Sequence, residues 1–237
     1  MKIARYRVLV FLLATMCGAS AHGGVIEGTI IFEGKAPTMR PVPLSADPHC
    51  EALHKDAPLY FDWLVLGEGQ AVANVLVHVA VGVPEKNYPV PTEAAVLDQK
   101  GCQYSPHVLA VRAGQKIRVL NPDETAHNVH FLPKENREKN MAMSPQHKEK
   151  PVTLRKAEAV FTINCDVHSW MKAYCAVFDH PFYSVTGKDG RFKIEGLDPG
   201  EYEIEVWHEV LGVQRRKVTV PAAGDVTENL VLTRPKK

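Results

Sequence analysis

Cys165-Asp166-Val167-His168-Ser169-Trp170-Met171 is the stretch whose reading decides this chain. Within seven residues it sets a thiol, an imidazole and a thioether at Cys-x2-His-x2-Met spacing. That is too tight for one face of a straight strand, where same-side residues fall at even offsets. A loop wrapped around a common point is the expectation. A second imidazole stands thirty-eight residues earlier, in Glu124-Thr125-Ala126-His127-Asn128-Val129-His130-Phe131, at an expected strand end. One thiolate, two imidazoles and a weak axial thioether make a trigonal copper site, with the sulfur ligands favouring Cu(I) and the imidazoles also suiting Cu(II). The expected ligands are His127, Cys165, His168 and Met171. His130, three residues past His127, falls on the opposite strand face.

The residues alone leave alternatives open. Cys165 paired with Cys175 in a disulfide would leave His168 and Met171 as ordinary loop residues. Zinc also takes Cys and His, although a Met ligand argues against it. The two segments together resemble the cupredoxins, and their amicyanin-like members most closely, in the His127-Asn128-Val129-His130-Phe131 run and the short Cys-x2-His-x2-Met loop. The resemblance extends through Ala95-Val96-Leu97 and the stretch from Val108 to Asn121, covering roughly residues 93 to 179. It implies a Greek-key β-sandwich with one type 1 copper held by His127, Cys165, His168 and Met171. It also implies that Asn128 tethers the ligand loop. Trp170, beside an exposed-side His168, is expected to help form an apolar patch through which electrons leave. Ser169 departs from the pattern, which has proline there. The whole chain is similar to secreted bacterial cupredoxin-domain proteins often labelled methylamine utilization proteins.

The first 21 residues read as a targeting segment: basic Lys2, Arg5 and Arg7, an apolar run from Val8 to Met16, and an Ala19-Ser20-Ala21 cleavage site. The apolar run is far shorter than the ~20 residues of a membrane span. Its removal takes away three basic residues and no acidic ones, so the formal charge moves from +1 to −2. A near-neutral chain gives no support for nucleic-acid binding. Export to the periplasm or beyond permits disulfides.

Strands dominate the rest. Val25–Phe32 is β-branched and bounded by glycines, and Val75–Val81 is a second clear strand. Residues 35–70, rich in proline and polar turns, read as a long connection with little regular structure. Cys50 lies in it and pairs most simply with Cys102. With Cys165 as a ligand, that leaves Cys175 as a buried thiol inside a core strand. A sharper alternative is a second metal site built from His49, Cys50, His54 and His107. Pro133–Lys150 is polar and of mixed charge and reads as a solvated excursion, in which Met141 and Met143 are weak grounds for a Cu(I) site.

From Tyr183 onward the pattern changes. Gly187-Lys188-Asp189-Gly190 is a hairpin signal, Leu197-Asp198-Pro199-Gly200 a second turn, and Tyr202, Ile204 and Val206 alternate with glutamates as in a half-buried strand. This stretch resembles the regulatory-like, transthyretin-like β-sandwich of carboxypeptidases. It is short for a complete sandwich, so the strands of the N-terminal segment are expected to complete it. The expected organisation is all-β: residues 1–21 targeting, 22–92 N-terminal β segment, 93–180 copper sandwich and 181–237 second sandwich. No Ser-His-Asp set, phosphate loop or paired carboxylate stands out for catalysis. The expected role is a periplasmic one-electron carrier, partnered by a c-type cytochrome or a periplasmic dehydrogenase. Copper delivery, or a β-sandwich interaction module with a vestigial copper site, are the alternatives.

Overall fold

The computed structural model describes residues 23–222 and 224–235. The expected targeting segment, 1–21, lies outside the described residues. No helix among those described is long and apolar enough to cross a membrane. The protein is nearly all β. Along the chain run β1 (Gly24–Phe32), the short helix α1 (Pro48–Leu53), β2 (Leu76–Val81), β3 (Ala95–Asp98), β4 (Val108–Arg112) and β5 (Lys116–Leu120). Then come β6 (His127–Phe131), β7 (Lys139–Met143), β8 (Glu149–Thr153), β9 (Glu158–Asn164) and β10 (Lys172–Phe178). Last are β11 (Tyr183–Val185), β12 (Arg191–Leu197), β13 (Gly200–His208), β14 (Gly212–Val220), β15 (Val226–Thr227) and β16 (Leu230–Leu232).

The middle strands form two facing sheets, ordered β4-β10-β9-β6-β7 and β3-β5-β8. Leu97, Val111, Ile117, Val119, Val129, Phe131 and Ile163 fill the space between them. Strands β6 and β9 are neighbours, with His130 opposite Asn164 and Phe131 opposite Ile163. This pairing brings the start of β6 and the end of β9 to the same rim, which is why residues 127 and 165 meet.

The outer strands form a second pair of sheets. One has β1 between β12 and β15, with β16 also on β1; the other runs β11-β2-β13-β14. Thus β1 and β2 pair with strands from beyond residue 180. Tyr202, Ile204 and Val206 point into this core beside Ile26, Ile30 and Val77. The alternating Glu203 and Glu205 face out and pair with Arg215 on β14.

Three expectations change. Gly187–Gly190 closes as a turn, with the amide of Gly190 donating to Gly187 at 2.9 Å, but it does not link partners in one sheet: β11 lies on β2 and β12 on β1. The chain there crosses between sheets, and Gly190 (φ 68°) lets the backbone approach Ile30, whose carbonyl oxygen a Cβ would meet at 2.6 Å. Pro133–Lys150 is no free excursion, because it contains β7 and the start of β8, paired to β6 and β5. The 35–70 connection holds α1 and packs Val42, Leu44, Cys50 and Leu59 onto the core of the middle sandwich. Helix α1 starts where Asp47 Oδ1 accepts the amides of His49 (2.8 Å) and Cys50 (3.2 Å), with Pro48 at the first helical position.

Candidate metal centre

At the rim the structure gathers His127, Cys165 and His168, whose ligand atoms lie within 4.8 Å of one another. All three are buried, at 1%, 4% and 3% exposure, so a bound ion there would be shielded from bulk water. His127 opens β6; Cys165 follows β9 directly. The loop between β9 and β10 closes on itself: Cys165 N donates to Met171 O (3.2 Å), Met171 N to His168 O (2.9 Å), and His168 N to Cys165 Sγ (3.3 Å). Met171 is buried at the loop's end within the same core as Cys165. Asn128 tethers the loop, its Oδ1 accepting the amide of Asp166 at 2.9 Å while its Nδ2 donates to Asn140.

The imidazoles are fixed from behind. His127 Nε2 lies 2.9 Å from Asp123 Oδ2, and His168 Nε2 lies 2.9 Å from Asp47 Oδ2. A carboxylate only accepts, so each Nε2 carries a proton and it is each Nδ1 that faces the centre. The two Nδ1 atoms face each other at 3.0 Å. Nitrogens so placed need a proton or a cation to avoid lone-pair repulsion, and 3.0 Å is within the span of two bonds of about 2 Å to a common ion. Together with the sulfur of Cys165, the donor set fits a soft or borderline metal.

Charge at the site follows from these contacts. Burial opposes ionisation of Cys165, but hydrogen bonding from His127 and the amides of His168, Asn128 and Val167 outweighs it and holds the thiol below its usual range. Burial also disfavours a charged His127, yet Asp123 and Cys165 raise its affinity for a proton. Asp123 resists its own burial through His127 and the amides of Gly101 and Cys102, and Asp47 through His168, Thr125 and the α1 amides; both are held well below the carboxylate range.

Cys50 and Cys102 are joined in a disulfide, while Cys165 and Cys175 are free and buried. Burial pushes the Cys175 thiol up. The disulfide clamps α1 over the centre, with Cys50 Sγ 3.9 Å from His168 Nε2. His168 is consequently buried, not the exposed-side residue expected from the sequence. Trp170 packs on its ring, centroids 4.8 Å apart, and its indole donates to Cys102 O at 3.1 Å, so it is half-buried against the disulfide and not part of an open patch. The alternative site of His49, Cys50, His54 and His107 does not assemble. Cys50 is in the disulfide, His54 bonds Gly101 O at 2.9 Å, and His107 sits between Asp62 and Glu209. Met143 is in the core, its sulfur accepting from Gln99. His130 lies on the outer face between Glu138 and Asp166.

Asp47 and Asp123 are the site residues that sequence reasoning missed. Asp47 carried a signal, an Asp-Pro helix start three residues before Cys50; Asp123 carried none beyond its place in the loop before His127.

Fold and site together define an all-β protein of two sandwiches with a buried cysteine and two imidazoles at one rim. No family model and no curated protein matches the chain. Among solved structures it is similar to an amicyanin variant in the Cu(I) form, 21% identical over 43% of this chain and 98% of that one, with a TM-score of 0.32. A copper-containing nitrite reductase from Thermus scotoductus SA-01 matches 43% of this chain and 25% of its own, at 17% identity and a TM-score of 0.34. A purple cupredoxin from Nitrosopumilus maritimus matches 35% of this chain and 99% of its own, at 17% identity and 0.30.

Proposed function

We propose that this chain is a type 1 copper protein that carries single electrons, in which His127, Cys165, His168 and Met171 would hold the ion. The observation that carries the reading is the convergence of two Nδ1 atoms, 3.0 Å apart, with the sulfur of a buried cysteine. Copper supplies a one-electron couple at such a donor set. The chain's own residues supply the rest. Cys165 offers a thiolate to both oxidation states, Asp47 and Asp123 keep the imidazoles from turning, and the closed 165–171 loop limits rearrangement between states. Burial excludes water from the ligands. No catalytic role is assigned.

The copper sandwich, residues 93–180, is read as a cupredoxin set between strands of a transthyretin-like sandwich built from 22–92 and 181–237. The proposed setting is the periplasm or the exterior, after cleavage behind Ala21, with a c-type cytochrome or a periplasmic dehydrogenase as partner. Copper delivery fits less well, because ligands this buried under a disulfide-clamped helix exchange slowly. A vestigial site fits less well still, because the three ligand side chains are all present and converge.

The visible and EPR spectra of the copper-loaded mature protein test the proposal. An intense thiolate-to-Cu(II) band with narrow hyperfine splitting is expected, lost in Cys165→Ser. A colourless protein that takes zinc but not copper would sink it.

A further inference from the structure

We infer that Asp47 and Asp123 are positioning residues whose two charges make this centre prefer a divalent ion over a monovalent one; the inference rests on the copper reading above. Each carboxylate meets the outward nitrogen of one imidazole at 2.9 Å. Neither is free to swing away. Asp47 caps α1 through its other oxygen and also accepts from Thr125 Oγ1 at 2.8 Å. Asp123 accepts the amides of Gly101 (2.9 Å) and Cys102 (2.8 Å). Both anchors therefore run through one covalent bridge: Asp47 lies three residues before Cys50, and Asp123 is bonded to the backbone of Cys102.

The pair has an electrostatic effect beyond orientation. With the Cys165 thiolate it brings the formal charge around the ion to −3, at side chains only 6% (Asp123) and 16% (Asp47) exposed. The nearby cation Lys148 donates to the backbone carbonyl of Asp123, not to its carboxylate. Charges buried together interact far more strongly than they would in water. A shell of −3 loses attraction when the ion drops from two positive charges to one. A carboxylate behind a metal-bound histidine also raises the basicity of the ring, which favours the higher-charge ion in the same direction. Cu(II) and Zn(II) gain from this; Cu(I) gains less.

Asp47→Asn and Asp123→Asn test it in the full, disulfide-intact chain. Asn caps helices as well as Asp does, so Asp47→Asn keeps the start of α1. Two readouts are needed: the copper midpoint potential, and the affinities of the metal-free protein for Zn(II) and for Ag(I), a redox-inert monovalent probe. Each variant is expected to bind Zn(II) about 10–100-fold more weakly while its Ag(I) affinity changes less than threefold. Its preference for Cu(I) over Cu(II) should rise at least tenfold, equivalent to about 59 mV upward. Unchanged potentials and an unchanged Zn(II)/Ag(I) ratio would overturn the inference, and so would equal losses for both ions, which mark a purely structural role. Either variant decides alone if the other does not fold. A parent protein that binds neither copper nor zinc would instead sink the copper reading itself.

Discussion

At Cys165, burial and hydrogen bonding pull in opposite directions, and hydrogen bonding wins. Three amides and one imidazole lower the affinity of the sulfur for its proton. Met171, buried at the end of the closed loop, is expected to act through its weakness as an axial donor, which tunes the couple more than it holds the metal. Met171→Gln should therefore keep copper bound but lower the midpoint potential, by at least the ~59 mV of a tenfold change; spectroelectrochemistry reads this directly, and an unmoved potential removes Met171 from the ligand set. His127, Cys165 and His168 were legible because metal ligands constrain residue type and spacing together. Asp47 and Asp123 were not, because a carboxylate's role is set by what the fold places against it.

The helix α1 has only six residues, too few to be stable alone. Its N-cap, the packing of Val42 and Leu44 and the Cys50–Cys102 bridge hold it over His168. The bridge closes a separation of 52 residues, so the double variant Cys50→Ser, Cys102→Ser should lose about 3–5 kcal/mol in denaturant melts if chain entropy dominates. It should also release copper to a chelator faster than the parent, and an equal release rate would show that α1 does not guard the site. Elements with strong alternation, such as β13, could be read from the chain. Strands β7 and β8 could not: Lys139-Asn140-Met141 and Glu149-Lys150-Pro151 are polar because each strand lies at a sheet edge, where charge and proline are tolerated. The crossing at Gly187–Gly190 was hidden for a related reason, since a tight turn looks the same whether its flanks pair or part.

At the scale of the whole molecule, the two sandwiches share a boundary. Leu76 and Trp207 of one meet Val108, Tyr174, Ala176 and Phe178 of the other. Beside this apolar seam, Glu209 accepts from Tyr174 OH at 2.9 Å and pairs with His107, whose second nitrogen is 3.1 Å from Asp62. Burial opposes a charged His107, but Asp62 and Glu209 outweigh it and carry its pKa up to about 9. A raised histidine contributes stability in full below its unfolded value of about 6.5, and the contribution drains away as pH rises through 9. Nearby His208, and His180 at the far end of the seam, run the other way. Burial depresses both to about 4, so acidification from 6.5 toward 4 weakens the fold. Stability should peak near neutrality, and His107→Gln should flatten the alkaline side by up to about 3 kcal/mol in urea melts. A parent as stable at pH 9.5 as at pH 6.5 would rule out this role for His107.

The pairing of β2 with β11 sets Tyr183 directly across from His78. Everything between those strands, the middle sandwich included, thus leaves and re-enters at adjacent points along the chain's outer sheet. Besides the seam at Leu76 and Trp207, the 35–70 connection also ties the two together, through Val42, Leu44 and Leu59 in the middle core and the Cys50–Cys102 bridge.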